Sequence, residues 1–384
     1  MTPGGSRKFT AEHFGFVFTV IILSIAGMAS FTIAAHLFAR FHTGWVFYRP
    51  ADLQCFVTHS AYALGLVHDV PQGMAPFMYP PPFLLLGAPF VFMSAGVAYA
   101  LWTMLGAVLL FVAGLQLKMR KILVVFALLL PPSLCCLILG ESGIIPSALL
   151  IISLYWVRRR PVLSGVIAGL MVLKPQAALL LPVCYLAADQ PRAIFAAAAS
   201  TLTVCAITFL VFGVQPWLYF LHISMPEARQ MLQAPWPQNY QNLMVSAFVL
   251  LRSLGATLRL AYAAQIVLTL LACGLTWRLW RRPDGPELEI ILLTLCLAAL
   301  ATPYASVYDL PGIGLLLLAT WPQPGWRLAA ALCFLLGTGL YPVLSVLFFS
   351  TGALLTAGIC LAWWPRRENS RHSRSGLFHS GSQT

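Results

Sequence analysis

Charge is scarce in this sequence: 9% of its 384 residues are Asp, Glu, Lys or Arg, against about 25% in a soluble globular protein. That scarcity excludes an ordinary soluble domain. Acidic residues are the scarcer kind, 11 against 23 Lys and Arg, for a formal net charge of +12. On a soluble domain such an excess would suggest nucleic acid as a partner. Here the basic residues flank apolar runs, as positive-inside anchoring requires, and no basic domain stands outside those runs, so nucleic-acid binding is excluded. The nine cysteines form no CxxC pair and no metal-ligand spacing. Most, such as Cys184, Cys205, Cys273 and Cys333, fall within apolar runs and read as small hydrophobes. Only Cys55 falls in an expected outer loop, which argues against a disulfide framework. HExxH, an Asp-rich run, a Gly-x-Ser-x-Gly elbow and GxGxxG are all missing, as are internal repeats and heptads.

What is there is hydrophobic: 60% of the residues, in runs long enough to cross a ~30 Å hydrocarbon core. In lipid such runs must be helical, because every backbone polar group needs an internal partner. The expected fold is an all-α integral membrane protein, a polytopic bundle of about 10–12 spans including short or re-entrant helices. The first run, 14–37, is too long for a signal peptide and reads as a retained span. Further runs fall at 97–116, 122–139, 144–157, 193–213, 257–277, 290–302, 310–321, 328–341 and 344–364. The short run 83–93 reads as an outer-leaflet or re-entrant helix. The run 162–188 reads as two short halves broken at Lys174-Pro175-Gln176. Loops 38–82, 214–256 and 302–309 then lie outside, and residues 1–364 make one domain. All but six of the 23 basic residues (Arg40, Arg49, Lys174, Arg229, Arg252 and Arg259) fall on the cytoplasmic side. Both termini are expected there, with a disordered basic tail at 365–384.

The outer loops collect the chemistry. Asp52, in Arg49-Pro50-Ala51-Asp52, reads either as a general base or as a solvated loop acid paired with Arg49. Tyr79, before Pro80-Pro81-Pro82, offers a hydroxyl to a sugar site or belongs to a rigid loop-to-helix junction. Glu141, in Gly140-Glu141-Ser142-Gly143, binds sugar hydroxyls or is a turn acid, and the glycines permit close backbone approach. Lys174 interrupts an apolar stretch. It either snorkels to the headgroups or binds a lipid phosphate. Asp309 closes a turn that also holds Tyr304 and Tyr308, and either binds substrate or pairs with an outer arginine. Trp217, Trp236 and Tyr240 suit an interface or a sugar face, and Asn239, Gln241 and Asn242 supply amides for hydroxyls. His42, His59 and His68 share the first loop with irregular spacing, which indicates no divalent metal. The rival readings are a transporter or lipid flippase, which would carry polar groups near the bilayer midplane, and a membrane acyltransferase, which would carry a histidine within a span.

Asp52, Tyr79-Pro80-Pro81, the Gly140 turn, Gly169-Leu170 through Lys174-Pro175-Gln176, Asn239 to Asn242, and Pro303 to Asp309 occur in that order. The pattern, over roughly 45–320, resembles glycosyltransferase family 87 of the GT-C superfamily. The resemblance implies a membrane glycosyltransferase with a polyprenyl-phosphate sugar, often mannose, as donor. A lipid or glycan acceptor and an active site facing away from the cytoplasm go with it, in a multi-pass cell-membrane protein. No cofactor is implied, and the oligomeric state is not fixed. The family's first-loop acid falls on Asp52 as base of an inverting reaction. Lys174, with Arg49 as alternate, is expected on the donor phosphate. Tyr79, Glu141, Gln176, Asn239, Asn242, Tyr308 and Asp309 are the expected substrate-binding residues. At the outer turn the family usually shows Gly-Gln-x-Asn, where this chain has Glu141 and Gly143, and the aromatic pair after the acid is reduced.

Overall fold

The computed structural model describes residues 25, 29, 51–71, 74, 76–238, 240–282, 287–320, 326–337, 341, 345 and 348–363. All but two residues of the expected first span, and the whole tail from 365, lie outside the described residues. Among the described residues the regular structure is helical, apart from one isolated antiparallel bridge between Met244 and Ser306. The all-α membrane fold read from the sequence is the fold observed.

α1 (Ala51–Ala63) and the short α2 (Pro81–Phe90) precede α3 (Ala95–Gln116). α4 (Lys121–Leu128), α5 (Pro131–Leu139) and α6 (Ile144–Trp156) follow. Next come α7 (Pro161–Leu173), α8 (Pro175–Ala187) and α9 (Pro191–Phe212). A continuous run of Gln215–Tyr219, Phe220–Ser224 and Met225–Gln233 makes α10. α11 (Ala247–Ser253), α12 (Leu258–Trp280), α13 (Glu287–Ala301), α14 (Pro311–Ala319), α15 (Trp326–Gly337) and α16 (Gly352–Trp363) complete the described chain. Segments 38–82 and 214–256, expected as loops, therefore contain α1, α10 and α11. These helices are short or strongly two-faced, so no long apolar run marks them.

Among the described residues three helices, α3, α9 and α12, are long and apolar enough to cross a membrane. The run expected at 122–139 is the bent pair α4 and α5, turned by 56° where Pro131 and Pro132 open α5. Proline at the first helical positions has no N–H to lose there. Among the described residues the other expected spans hold shorter helices, such as the 13 residues of α6, about 20 Å at 1.5 Å per residue. α9 turns Phe195, Leu202 and Leu210 outward, and α12 turns Ile266 and Leu270 outward. α6, α13 and α14 are apolar and buried nearly all round, which places them at the bundle centre.

The break at Lys174 makes α7 and α8 a hairpin. Pro175 has no N–H, and a residue before proline is disfavoured in helical conformation. Lys174 accordingly takes φ −145°, ψ 72°. Ser164 and Tyr185, on opposite sides of the break, meet with their hydroxyls 3.1 Å apart, and both reach Ser153 of α6. Buried hydroxyls in lipid must find partners inside the protein, and these three find each other. Lys174 is thus the tip of a re-entrant hairpin. At the opposite end, Arg158, Arg159 and Arg160 lie over the rings of Trp280, Tyr155 and Trp156.

Small residues let α7 press against α9. A Cβ on Gly169 would lie 2.4 Å from Ser200 Cβ, and one on Gly165 would lie 2.2 Å from the Ala193 carbonyl oxygen. Ser200 Oγ donates to Val166 O at 2.9 Å and Thr201 Oγ1 to Gly169 O at 3.2 Å. The two helices therefore run side by side in the same direction. From the Gly169–Thr201 contact, Lys174 is five residues on and Phe212 eleven. The hairpin tip thus stops about 8 Å short of the end of α9.

Gly169→Val is expected to force α7 from α9 and to cost about 1–3 kcal/mol by overpacking. Thermal unfolding of the purified protein in detergent measures this, and an unchanged midpoint would show that the contact is looser than described.

Candidate active site

Five separate segments bring ionisable and hydroxyl groups to the hairpin tip. Asp52 stands in the first turn of α1, where the helix dipole favours a carboxylate. Tyr79 ends the extended stretch before α2. Glu141 follows Gly140, whose φ of 69° ends α5 in the left-handed conformation that glycine adopts freely. Lys174 tips the α7–α8 hairpin. Asp309 closes a 3₁₀ turn, Val307–Asp309, after α13.

The Lys174 ammonium, with 3% of its side chain exposed, donates to Asp309 Oδ1. It also lies 5.1 Å from the centre of the Tyr308 ring and 5.8 Å from that of Tyr79. Asp309 Oδ2 accepts the Ser306 N–H at 3.1 Å, and Ser147 Oγ donates to the Asp309 carbonyl at 3.2 Å. Glu141 Oε2 accepts from Tyr79 OH at 3.1 Å and from the Ser142 N–H at 3.0 Å. The Glu141 carbonyl receives Trp102 Nε1 at 3.4 Å and Cys136 Sγ at 3.1 Å. Gly143 locks two of the segments together: a Cβ there would fall 1.7 Å from the Tyr308 carbonyl oxygen. The close approach expected of these glycines is met at Gly143.

The cluster sets three carboxyl groups against one ammonium, and their charges are felt mutually. Burial pushes the Asp52 carboxyl well above the usual carboxylate range, Glu141 adds to the rise, and Lys174 partly offsets it. Burial also raises Glu141. Lys174, the Ser142 N–H and the Tyr79 hydroxyl work against that rise, and Asp309 adds to it. Both carboxyls hold their protons to higher pH than solvated ones do.

Most of the expected site residues meet here. Asp52, Tyr79, Glu141, Lys174, Tyr308 and Asp309 share the cluster. The sequence left open a pairing of Asp309 with an outer arginine, but its partner is Lys174. Gln176 lines a small, largely apolar cavity of about 40 Å³ with Asp309, Ser147 and Thr302. Asn242 is buried in the stretch next to the Met244–Ser306 bridge, and its Oδ1 has no hydrogen-bond partner among the described residues. Arg49 and Asn239 lie outside the described residues. His59 is not drawn in as a ligand: it stacks on Phe77 at 5.4 Å, with Nδ1 2.9 Å from the Cys55 carbonyl oxygen. Among the described residues no three His, Cys, Asp or Glu side chains gather as a metal site.

The sequence singled out Tyr240 only as an interface or sugar-face aromatic, and it gave Ser142 no role. Tyr240 is close enough for its hydroxyl to feel Asp309 and Glu141, and only its place between Asn239 and Gln241 hinted at this. Ser142, 1% exposed, leaves Oγ unpartnered among the described residues.

Residues 77–303 match the family model described as glycosyltransferase family 87. Asp52 lies before the matched stretch, and Tyr308 and Asp309 lie after it. No curated protein and no solved structure matches the chain.

Asp309→Asn should strand the buried Lys174 ammonium and cost about 3–5 kcal/mol of stability. The double variant Lys174→Met with Asp309→Asn should recover most of that loss in thermal unfolding. A double variant no more stable than Asp309→Asn would mean that the two side chains are not coupled.

Proposed function

The chain belongs to glycosyltransferase family 87, and from that premise we propose that it moves a hexose, mannose in our reading, from a polyprenyl-phosphate donor to a lipid or glycan acceptor. The observation that carries this is the cluster itself: an acid, Asp52, near a buried cation, Lys174, at the tip of a hairpin that stops short of the end of a spanning helix. At that depth a phosphate carried on a lipid has short access to Lys174. Among the described residues no α/β unit offers a nucleotide site, and a lipid-linked donor asks for none. The positive-inside distribution of arginines supports a site facing away from the cytoplasm and both termini in it, as in a multi-pass protein of the cell membrane.

Asp52 takes the proton from the acceptor hydroxyl as its oxygen attacks the anomeric carbon. The bond from that carbon to the donor's phosphate oxygen breaks on the opposite face, so the configuration inverts. The electron pair leaves with the polyprenyl phosphate, whose negative charge grows by one unit. A cation at that phosphate therefore binds the transition state better than the ground state. Lys174 has three N–H donors, of which Asp309 takes one. Asp309 keeps the ammonium charged and aimed while the others remain for the phosphate. Arg49, three residues before Asp52, is the second cation. The reading gives the cationic role to side chains and calls on no divalent metal. Tyr79, Glu141, Gln176, Asn239, Asn242, Tyr308 and Asp309 hold substrate hydroxyls, for which unpartnered atoms such as Asn242 Oδ1 are suited.

Asp52→Asn is expected to lower kcat by about 10²–10⁴-fold, the usual contribution of a positioned base, with the donor KM little changed. Transfer of radiolabelled sugar in proteoliposomes measures it, and full activity would remove Asp52 from the role of base.

The pH profile tests the environment of that base. A base works only when deprotonated, so the rate falls as pH drops through the raised pKa of Asp52. Glu141 helps to raise that pKa and Lys174 lowers it. Glu141→Gln should therefore move the acid limb of kcat to lower pH, and Lys174→Met should move it to higher pH. Limbs that stay in place would show that the titrating group is not Asp52.

A further inference from the structure

α10 begins where the lipid-facing α9 ends, after Gly213. Its two faces differ sharply. Toward the protein, Ser224 is fully buried and its Oγ donates to the Phe77 carbonyl at 2.6 Å. Leu232 packs against Met244, Phe248 and Val249. The amide of Gln241 donates to the Ala234 carbonyl at 2.9 Å, just past the helix end. Away from the protein, Val214, Leu218, Leu221, Ile223 and Met225 stand 40–55% exposed. Gln215 and His222 are exposed along the same stretch, and beyond Met225 and Pro226 the exposed residues are the polar Arg229 and Gln230. One wide turn of π-helix, Phe220–Ser224, lies at the middle. The extra residue in such a turn shifts the register of a helix, and here the shift carries Ser224 to Phe77.

We infer that the apolar face of α10 docks on the lipid bilayer, in the leaflet at the active-site end, and so makes the lip over which a lipid-borne substrate reaches the cluster. The occupant follows from continuity. The exposed apolar residues of α10 extend the lipid-facing surface of α9, where Phe209, Leu210 and Val211 are exposed. An amphipathic helix in that position lies in the plane of the interface with its apolar side among the acyl chains. The polar end, Arg229 to Gln233, then sits at headgroup level and reaches the Tyr240 segment beside the cluster. Ser224 ties the lip to Phe77, two residues before Tyr79, whose hydroxyl touches Glu141. Membrane contact and the substrate-binding stretch are thereby joined through one hydrogen bond and two peptide units. The lip's part in substrate access rests on the lipid-linked donor proposed above, whereas its place in the bilayer does not.

The test separates the two. A photoreactive benzophenone side chain is introduced in place of Leu221, or in place of Gln230, in the full-length protein in phosphatidylcholine–phosphatidylglycerol vesicles. Lipid adducts are expected from position 221 and not from 230. Equal adducts at both positions, or none at 221, would overturn the inference whatever the enzyme transfers. In parallel, Leu221→Glu is assayed with a long-chain polyprenyl-phosphate sugar and with a short, water-soluble prenyl analogue. Loss of one apolar side chain from lipid corresponds to about a tenfold rise in KM for the long-chain donor, with the short donor unaffected. Equal loss with both donors would assign the helix a purely structural role and sink the lip.

Discussion

A lysine ammonium sealed from water at membrane depth has to be paired, and the arrangement of the site follows from the pairing of Lys174 with Asp309. Removing the charge from water costs several kcal/mol even after relaxation. The cost is offset only where a carboxylate is held in place and its other lone pairs are used. Asp309 meets this requirement because its second oxygen takes the Ser306 N–H and its carbonyl takes the Ser147 hydroxyl. The 3₁₀ turn carrying it is fixed in turn by the Met244–Ser306 bridge and by the Val245 N–H on the Ala305 carbonyl. Lys174 is delivered by a hairpin whose far ends are joined by Ser153, Ser164 and Tyr185. Local chain chemistry at Pro175 and Gly143 and the contacts of distant helices thus converge on one ion pair.

The sequence made the membrane fold legible because its evidence is repeated many times over: long apolar runs, arginines at their ends, few charges elsewhere. The break at Lys174 was also legible, since Pro175 forbids a continuous hydrogen-bond ladder and each half is too short to cross alone. α1, α10 and α11 were hidden in segments read as loops. α10 opposes an apolar exposed face to a partly polar buried one, and hydrophobic-run reasoning has no signature for that. The pairing of Lys174 with Asp309 was beyond reach because the two residues are 135 positions apart. Charges that isolated look alike in sequence, and only packing decides which two share a site.

Two requirements conflict in any site that both deprotonates an alcohol and releases a phosphate. The base benefits from negative neighbours, which raise its pKa toward neutrality. The departing phosphate needs positive ones. Under the reading proposed, the chain resolves this by partition. Glu141 takes its hydrogen bonds from Tyr79 and the Ser142 N–H, and Lys174 acts on it only through its charge, so Glu141 is left beside Asp52, whose pKa it raises. Lys174 is held by Asp309, which keeps it protonated yet occupies only one of its three donors. The aromatic rings of Tyr79 and Tyr308 beside the ammonium exclude water from it, and a low local dielectric strengthens whatever it binds.

Depth makes the same partition useful. Were the cluster level with the end of α9, water would screen both the carboxyl pair and the cation, and each would revert toward its solution behaviour. Were it at the bilayer midplane, the cost of three carboxyls and an ammonium would exceed what one ion pair and a few hydrogen bonds return. Stopping about 8 Å short of the end of α9, the hairpin tip lies between these limits. On that reading the shortness of α6, α7 and α8 is a functional dimension of the fold. Thirteen-residue helices are too short to cross a bilayer, but under the reading proposed they hold a charged tip where a lipid-borne phosphate and a shielded acid meet.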